Sequence, residues 1–318
     1  MRVLFMGTPE FAAVSLRALL DSSHEVVGVI SQPDRRSGRR GRPTPPPVAA
    51  VAQEVGLPLL QPRDLREEAT HEWMRSLEPD IGIVVAFGHI LRQEVLELPP
   101  RGCLNVHASL LPRWRGASPI QAAILAGDVE TGVGVMQMDV GLDTGAVLHQ
   151  RSVPIRGDDT AATLHDTLAD LGAAALLHTL DGVARGEVTP VPQPSEGVTY
   201  AGRLRKEDGD IDWSEPVDQI CCRVRAMHPW PGTRTVRHLS EGSTELLKLY
   251  PPASVVSAPG TSDEAPGSVF CADGGGVQVV CGDGGVLSIG RLQAPGKRVL
   301  DAAEFLAGNP LTEGSRLG

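Results

Sequence analysis

Apolar residues come along this chain in short unbroken runs separated by amphipathic stretches. Arg2 to Met6 forms a first short strand, followed by Gly7-Thr8-Pro9 and then a helical recurrence of Phe11, Val14, Leu16, Leu19 and Leu20. Thr8 is expected to cap that helix, with Pro9 at its first position. Val26 to Ile30 reads as a second strand. The run Ile81 to Phe87 is apolar without alternation, as in strands covered on both faces. A β-α-β rhythm of this kind predicts a mostly parallel sheet flanked by helices, a Rossmann-like amino-terminal domain. The Gly-x-Gly-x-x-Gly fingerprint is missing after the first strand, which disfavours a nicotinamide dinucleotide site.

Further along, Leu164, Leu168, Leu171, Ala175, Leu176 and Leu180 recur at helical spacing and predict a helix over 160–184. The texture then changes. Residues 189–197 place prolines at positions 190, 192 and 194 with no apolar period, the mark of an extended linker. A helix is expected over 217–226. Short strands follow at 246–249, 268–271, 277–280 and 286–289, separated by turn signals such as Asp283-Gly284-Gly285. They predict a small β-barrel or sandwich, with 251–267 as a mobile surface loop. The domain plan is therefore 1–189, a linker over 190–206, and a second domain over 207–318.

With 318 residues the chain is long enough for two cores, and its 41% hydrophobic content is ordinary for a globular protein. No apolar run approaches the roughly 18 residues of a membrane span, and no secretory leader is legible, so a cytoplasmic protein without a membrane partner is expected. The five cysteines, 103, 221, 222, 271 and 281, are odd in number and lack metal-ligand spacing. Reduced, mostly buried thiols and no metal site are expected. The net charge of −10 argues against a protein that coats nucleic acid with its whole surface. A local basic segment can still do so, because phosphates respond to the field within about a Debye length.

The chemistry concentrates in Cys103-Leu104-Asn105-Val106-His107-Ala108-Ser109-Leu110-Leu111-Pro112. The strand period of two puts Asn105 and His107 on one face, at the carboxyl end of a sheet strand, where open α/β sheets bind ligands. A helix capped by Ser118, with Pro119 at its first position and Gly127 after its end, comes next. The strand 134–138 then leads into the glycine-punctuated loop Asp139-Val140-Gly141-Leu142-Asp143-Thr144-Gly145. Taken alone, Asn-x-His reads as a hydrogen-bonded structural pair, and the acidic loop as a turn. Together they suit acyl transfer in which the acceptor itself attacks. An amide and an imidazole stabilise the developing oxyanion, while a carboxylate orients the imidazole and assists removal of the amine proton. Ser109 lacks the Gly-x-Ser-x-Gly elbow of a nucleophile.

The string His107-Ala108-Ser109-Leu110-Leu111-Pro112-Arg113-Trp114-Arg115-Gly116, with Asn105 before it and Leu142-Asp143-Thr144-Gly145 after it, resembles the signature of 10-formyltetrahydrofolate-dependent formyltransferases. The opening Gly7-Thr8-Pro9-Glu10-Phe11-Ala12, the arginine loop after Asp34, Ile211-Asp212-Trp213-Ser214 and His228-Pro229-Trp230-Pro231-Gly232 are similar to family strings, so the likeness spans nearly the whole chain. The resemblance implies Asn105, His107 and Asp143 as the catalytic set, with 10-formyltetrahydrofolate as co-substrate and no metal. It implies that Ser109, Leu110, Leu111 and Pro112 line the folate site. The segments 87–91, with His89, Ile90 and Leu91, and 138–142, with Val140 and Leu142, would wall the pteridine pocket. The acceptor it implies is the α-amino group of initiator methionyl-tRNA. A monomer is expected, with an OB-like barrel as its second domain.

Arg35, Arg36, Arg39, Arg40 and Arg42 crowd one glycine-containing segment. A charge run is most often a solvated surface, but arginine forks onto phosphate and stacks on bases. The resemblance implies a loop that reaches the acceptor end of tRNA, here with arginine alone where the family mixes in lysine. Arg203, Arg205 and Lys206 form a second cluster suited to tracking a backbone, tempered by Glu207, Asp208 and Asp210. Trp213 and Trp230 are expected in the core. Competing readings are a formyltransferase acting on an amino-sugar nucleotide, a shorter purine-pathway enzyme, and an RNA-binding relative without activity.

Overall fold

The computed structural model describes residues 1–36, 41, 43–239, 242–273, 275–312 and 314–318. Two compact units emerge. One comprises Met1–Pro119, Thr131–Val153 and His165–Ala201, the other Ile120–Glu130, Pro154–Leu164 and Gly202–Gly318.

In the first unit seven strands form one sheet, in the order Val147–Pro154, Glu130–Gln137, Cys103–His107, Ile81–Val85, Arg2–Gly7, Glu25–Ile30 and Leu59–Leu60. Pairing is parallel from Cys103–His107 to Leu59–Leu60, and antiparallel between Cys103–His107 and Glu130–Gln137. Ile81–Val85 is buried along its whole length, which explains its unbroken apolar run. The fold class is the expected one, a Rossmann-like α/β domain followed by a β-domain. Helix Glu10–Leu20 buries Phe11, Leu16 and Leu19. It starts one residue later than expected, with Pro9 and not Thr8 at the cap position. The Thr8 hydroxyl is drawn instead to the Phe87 carbonyl, to which it donates at 3.0 Å. The long helix is Ala161–Arg185.

The second unit holds an antiparallel sheet in the order Thr233–His238, Thr244–Ser257, Val286–Gln293, Gly276–Val280 and Val269–Asp273, with Leu300–Asp301 paired to Val286–Gln293. Arg316 and Leu317 bridge Ser268 and Arg237, joining the sheet's two ends and curling it into a small OB-like barrel. Its interior packs Trp213, Leu247, Leu249, Val277, Leu287 and Phe305 against Ile220 and Val224 of helix Val217–Ala226.

Two expectations are corrected here. The stretch 251–257 is not loop but the second half of a 14-residue strand, paired with Val286–Gln293. Its prolines cost no ladder bond because the register shifts between Tyr250 and Ala253, and the Pro251 carbonyl accepts from Arg291 Nε at 2.6 Å. Trp213 is buried and donates to Thr235 Oγ1 at 2.9 Å, but Trp230 is 53% exposed and anchors no core. The proline-rich stretch runs along the first unit, where Val191 bridges Val147 and Gln193 and Thr199 form hydrogen bonds. No described helix is long and apolar enough to cross a membrane.

Candidate active site

Asn105 and His107 lie on the strand between Ile81–Val85 and Glu130–Gln137, both buried. The His107 Nε2 is 2.9 Å from the Trp114 carbonyl. A carbonyl only accepts, so Nε2 carries the hydrogen and Nδ1 is the nitrogen left to face the site. Asp143 Oδ2 stands 3.8 Å from that Nδ1. Asn105 Nδ2 donates to the other oxygen, Oδ1, at 3.5 Å, and the Gly116 amide donates to Oδ2 at 2.8 Å. Two side chains of one strand and a carboxylate from a loop remote in sequence thus share one polar centre.

Backbone conformation delivers the carboxylate. Asp143 has φ of +52°, sparsely populated by non-glycine residues, so the surrounding loop must hold it there. Asp139 Oδ1 accepts from the Gly141 amide at 3.0 Å and from Thr144 Oγ1 at 2.6 Å, closing an Asx-type turn. A Cβ on Gly145 would stand 1.7 Å from the Gln137 carbonyl oxygen, so only glycine lets the loop approach the strand this closely. Gln193 Nε2 donates to the carbonyls of Asp143 and Gly145, both at 2.8 Å, while its Oε1 accepts from Arg115 Nε and Nη2 at 3.1 and 2.7 Å. Neither Gln193 nor Arg115 figured among the expected site residues.

Of the residues expected to line the folate site, Ile90, Val140 and Leu142 are exposed apolar side chains, 88%, 69% and 60% accessible. Leu91 is buried. His89 is half-buried, and its Nε2 is buried without a hydrogen-bond partner. Burial holds the His89 imidazole below its ordinary value, and Arg35 pushes the same way against Asp64. Ser109 is fully buried and donates to the Arg113 carbonyl at 2.6 Å; Leu111 is also buried, and its carbonyl accepts from Gln150. Leu110 and Pro112 are partly exposed. Cys103, on the Asn105 strand, has its thiol pushed up to about 12 by burial, which removes it as a nucleophile.

Arg35 and Arg36 form a short antiparallel ribbon with Pro43 and Thr44, and Arg35 Nη2 reaches Gln32 Oε1 at 3.5 Å. Arg39, Arg40 and Arg42 lie outside the described residues. Arg203, Arg205 and Lys206 are exposed in the second unit, where the Arg205 amide donates to Asp208 Oδ2 at 2.6 Å. Among the described residues no group of three or more His, Cys, Asp or Glu side chains is arranged to hold a metal ion.

Residues 1–180 match the family described as Formyl transferase, and residues 203–310 match its C-terminal domain. This chain belongs to the formyl transferase family. Among curated family members it is 47% identical over 322 residues to the methionyl-tRNA formyltransferase of Chromohalobacter salexigens, covering 100% of this chain and 97% of that one. The corresponding protein of Symbiobacterium thermophilum is 48% identical over 316 residues, covering 99% and 95% of the two chains. Solved structures share the formyl transferase fold at lower identity. The N-formyltransferase of Helicobacter canadensis, in complex with folinic acid and dTDP-3-aminofucose, has a TM-score of 0.68 at 17% identity, over 92% of this chain and 99% of that one. HypX of Aquifex aeolicus, in complex with tetrahydrofolic acid, has a TM-score of 0.61 at 19% identity, over 100% and 50%.

Proposed function

We propose that this formyl transferase moves the formyl group of 10-formyltetrahydrofolate onto the α-amino group of methionine esterified to initiator tRNA. The convergence of Asn105, His107 and Asp143 carries the chemistry. The full-length likeness to proteins named methionyl-tRNA formyltransferase supports the acceptor. In this reading residues 1–189 catalyse, 190–206 link, and 207–318 bind tRNA.

The exposed apolar side chains of Ile90, Val140 and Leu142 and the unpartnered His89 Nε2 fit a flat heterocycle with polar ring atoms. When bound, that co-substrate supplies an activated formyl carbon. Asn105 holds one amide hydrogen toward Asp143 Oδ1 and has a second to donate to the formyl oxygen as negative charge develops there. His107, its Nε2–H held by the Trp114 carbonyl, turns Nδ1 to the same point and, when protonated there, donates to that oxygen as the charge develops. As the amine nitrogen bonds to the formyl carbon, the bond from that carbon to the folate nitrogen breaks. The Asp143 carboxylate receives the amine proton for delivery, directly or through water, to the departing nitrogen. No covalent enzyme intermediate is formed. Proximity does the rest, because both reactants are held in one geometry.

In this scheme Arg35, Arg36, Arg39, Arg40 and Arg42 contact the acceptor end of the tRNA, and Arg203, Arg205 and Lys206 track its backbone. The protein acts as a cytoplasmic monomer. Supplying 10-formyltetrahydrofolate with either initiator methionyl-tRNA or an aminated sugar nucleotide tests the acceptor. Formylation of the tRNA is expected, and formylation of the sugar alone would overturn the assignment.

A further inference from the structure

We propose that Gln193 is a positioning residue for the transfer, acting through Asp143; the inference rests on Asp143 having the role given above. Its amide is fully used, and its orientation is forced. Arg115 is a donor only and so faces Oε1; the carbonyls of Asp143 and Gly145 are acceptors only and so face Nε2. Both carbonyls belong to the turn that carries the carboxylate. One belongs to Asp143 itself, whose backbone is in the left-handed region at φ +52°. That conformation persists only where the surroundings over-determine it.

Arg115 completes the brace. Its guanidinium is buried against Gln193, its own amide donates to the Thr199 carbonyl at 2.9 Å, and the next amide, Gly116, holds Asp143 Oδ2 at 2.8 Å. Asp143 is therefore gripped at both ends by one connected set. Gln193 fixes its main chain, and the segment that presents Arg115 fixes its carboxylate. A partly buried network of this kind holds geometry only if every member is satisfied. The side chain comes from the proline-rich stretch, where alternate prolines limit the backbone conformations open to residue 193.

Gln193→Glu is the sharp test. It keeps an acceptor for Arg115 but replaces the donor to two carbonyls with a second carboxylate oxygen, which repels them. The expected result is a fall in kcat of about 10- to 100-fold with KM for both substrates changed by less than about two-fold, as for a small displacement of a reacting group. In an Asp143→Asn background the same change is expected to add less than about two-fold, because its effect passes through Asp143. Gln193→Ala removes the donor without adding charge, is read the same way, and serves if the first variant fails to fold. An unchanged kcat in a folded Gln193 variant, with Asp143→Asn impaired, would overturn this inference alone. So would a full additional loss in the Asp143→Asn background. Full activity of Asp143→Asn would overturn the role of Asp143 and this inference with it.

Discussion

The Gly116 amide bonds Asp143 Oδ2 at 2.8 Å, and that oxygen stands 3.8 Å from His107 Nδ1. A main-chain donor therefore holds the carboxylate oxygen that faces the imidazole. Gly116 has φ of +113°, and a Cβ there would come within 2.4 Å of the Ala201 carbonyl oxygen. Gly116→Ala is accordingly expected to destabilise the protein by about 1–3 kcal/mol and to lower kcat. Chemical unfolding together with steady-state kinetics checks both parts, and a variant as stable and active as wild type would contradict them.

Asp143→Asn keeps an oxygen to accept from Gly116 but removes the charge facing His107. The expected outcome is a fall in kcat of about 100-fold or more with little change in folate affinity. Steady-state kinetics over a range of 10-formyltetrahydrofolate concentrations measures this. A rise in KM alone would instead make Asp143 a binding residue.

Burial lowers the His24, His89 and His149 imidazoles below their ordinary value of 6.5. The unfolded chain then binds more protons than the folded one as pH falls through 6.5, so stability is present above that value and is lost below it. Thermal unfolding between pH 8 and pH 5.5 is expected to show that slope. His89→Gln, which cannot take up the proton, should flatten it, and an unchanged slope in the variant would remove His89 from the explanation.

Arg39, Arg40 and Arg42 enter through the sequence alone. If they neutralise tRNA phosphates, replacing all three with glutamine raises KM for tRNA and flattens its dependence on salt by roughly 0.7–0.9 in log–log slope for each phosphate left without its arginine. Kinetics at several salt concentrations decides this, and identical salt slopes would take the loop out of the interface.

How much of this was legible in the sequence depended on where burial and polarity agreed. Helix Val217–Ala226 was readable to the residue because its apolar period is regular and Pro216 precedes it. Strand Thr233–His238 was not, because its inward side chains are polar. Thr233, Thr235 and Arg237 are buried, satisfied respectively by the Leu249 carbonyl, the Trp213 indole and the Glu245 carboxylate. Alternation there is real but carries no hydrophobic signal.

The site divides in the same way. Asn105 and His107 follow from the strand period of two, whereas Asp143 joins them only through long-range packing, for which the family resemblance stood in. Gln193 left no trace, because a lone amide among prolines has no period and its partners are two main-chain carbonyls and an arginine remote in sequence.

Formyl transfer to initiator methionyl-tRNA under single-turnover conditions, with wild type and His107→Ala each saturated with 10-formyltetrahydrofolate, is the most direct measurement. Wild type should formylate the tRNA with release of tetrahydrofolate, and His107→Ala should be slower by about 100- to 1,000-fold, the usual loss for one group that stabilises a developing oxyanion. Equal rates for the two proteins would contradict a centre built on Asn105, His107 and Asp143.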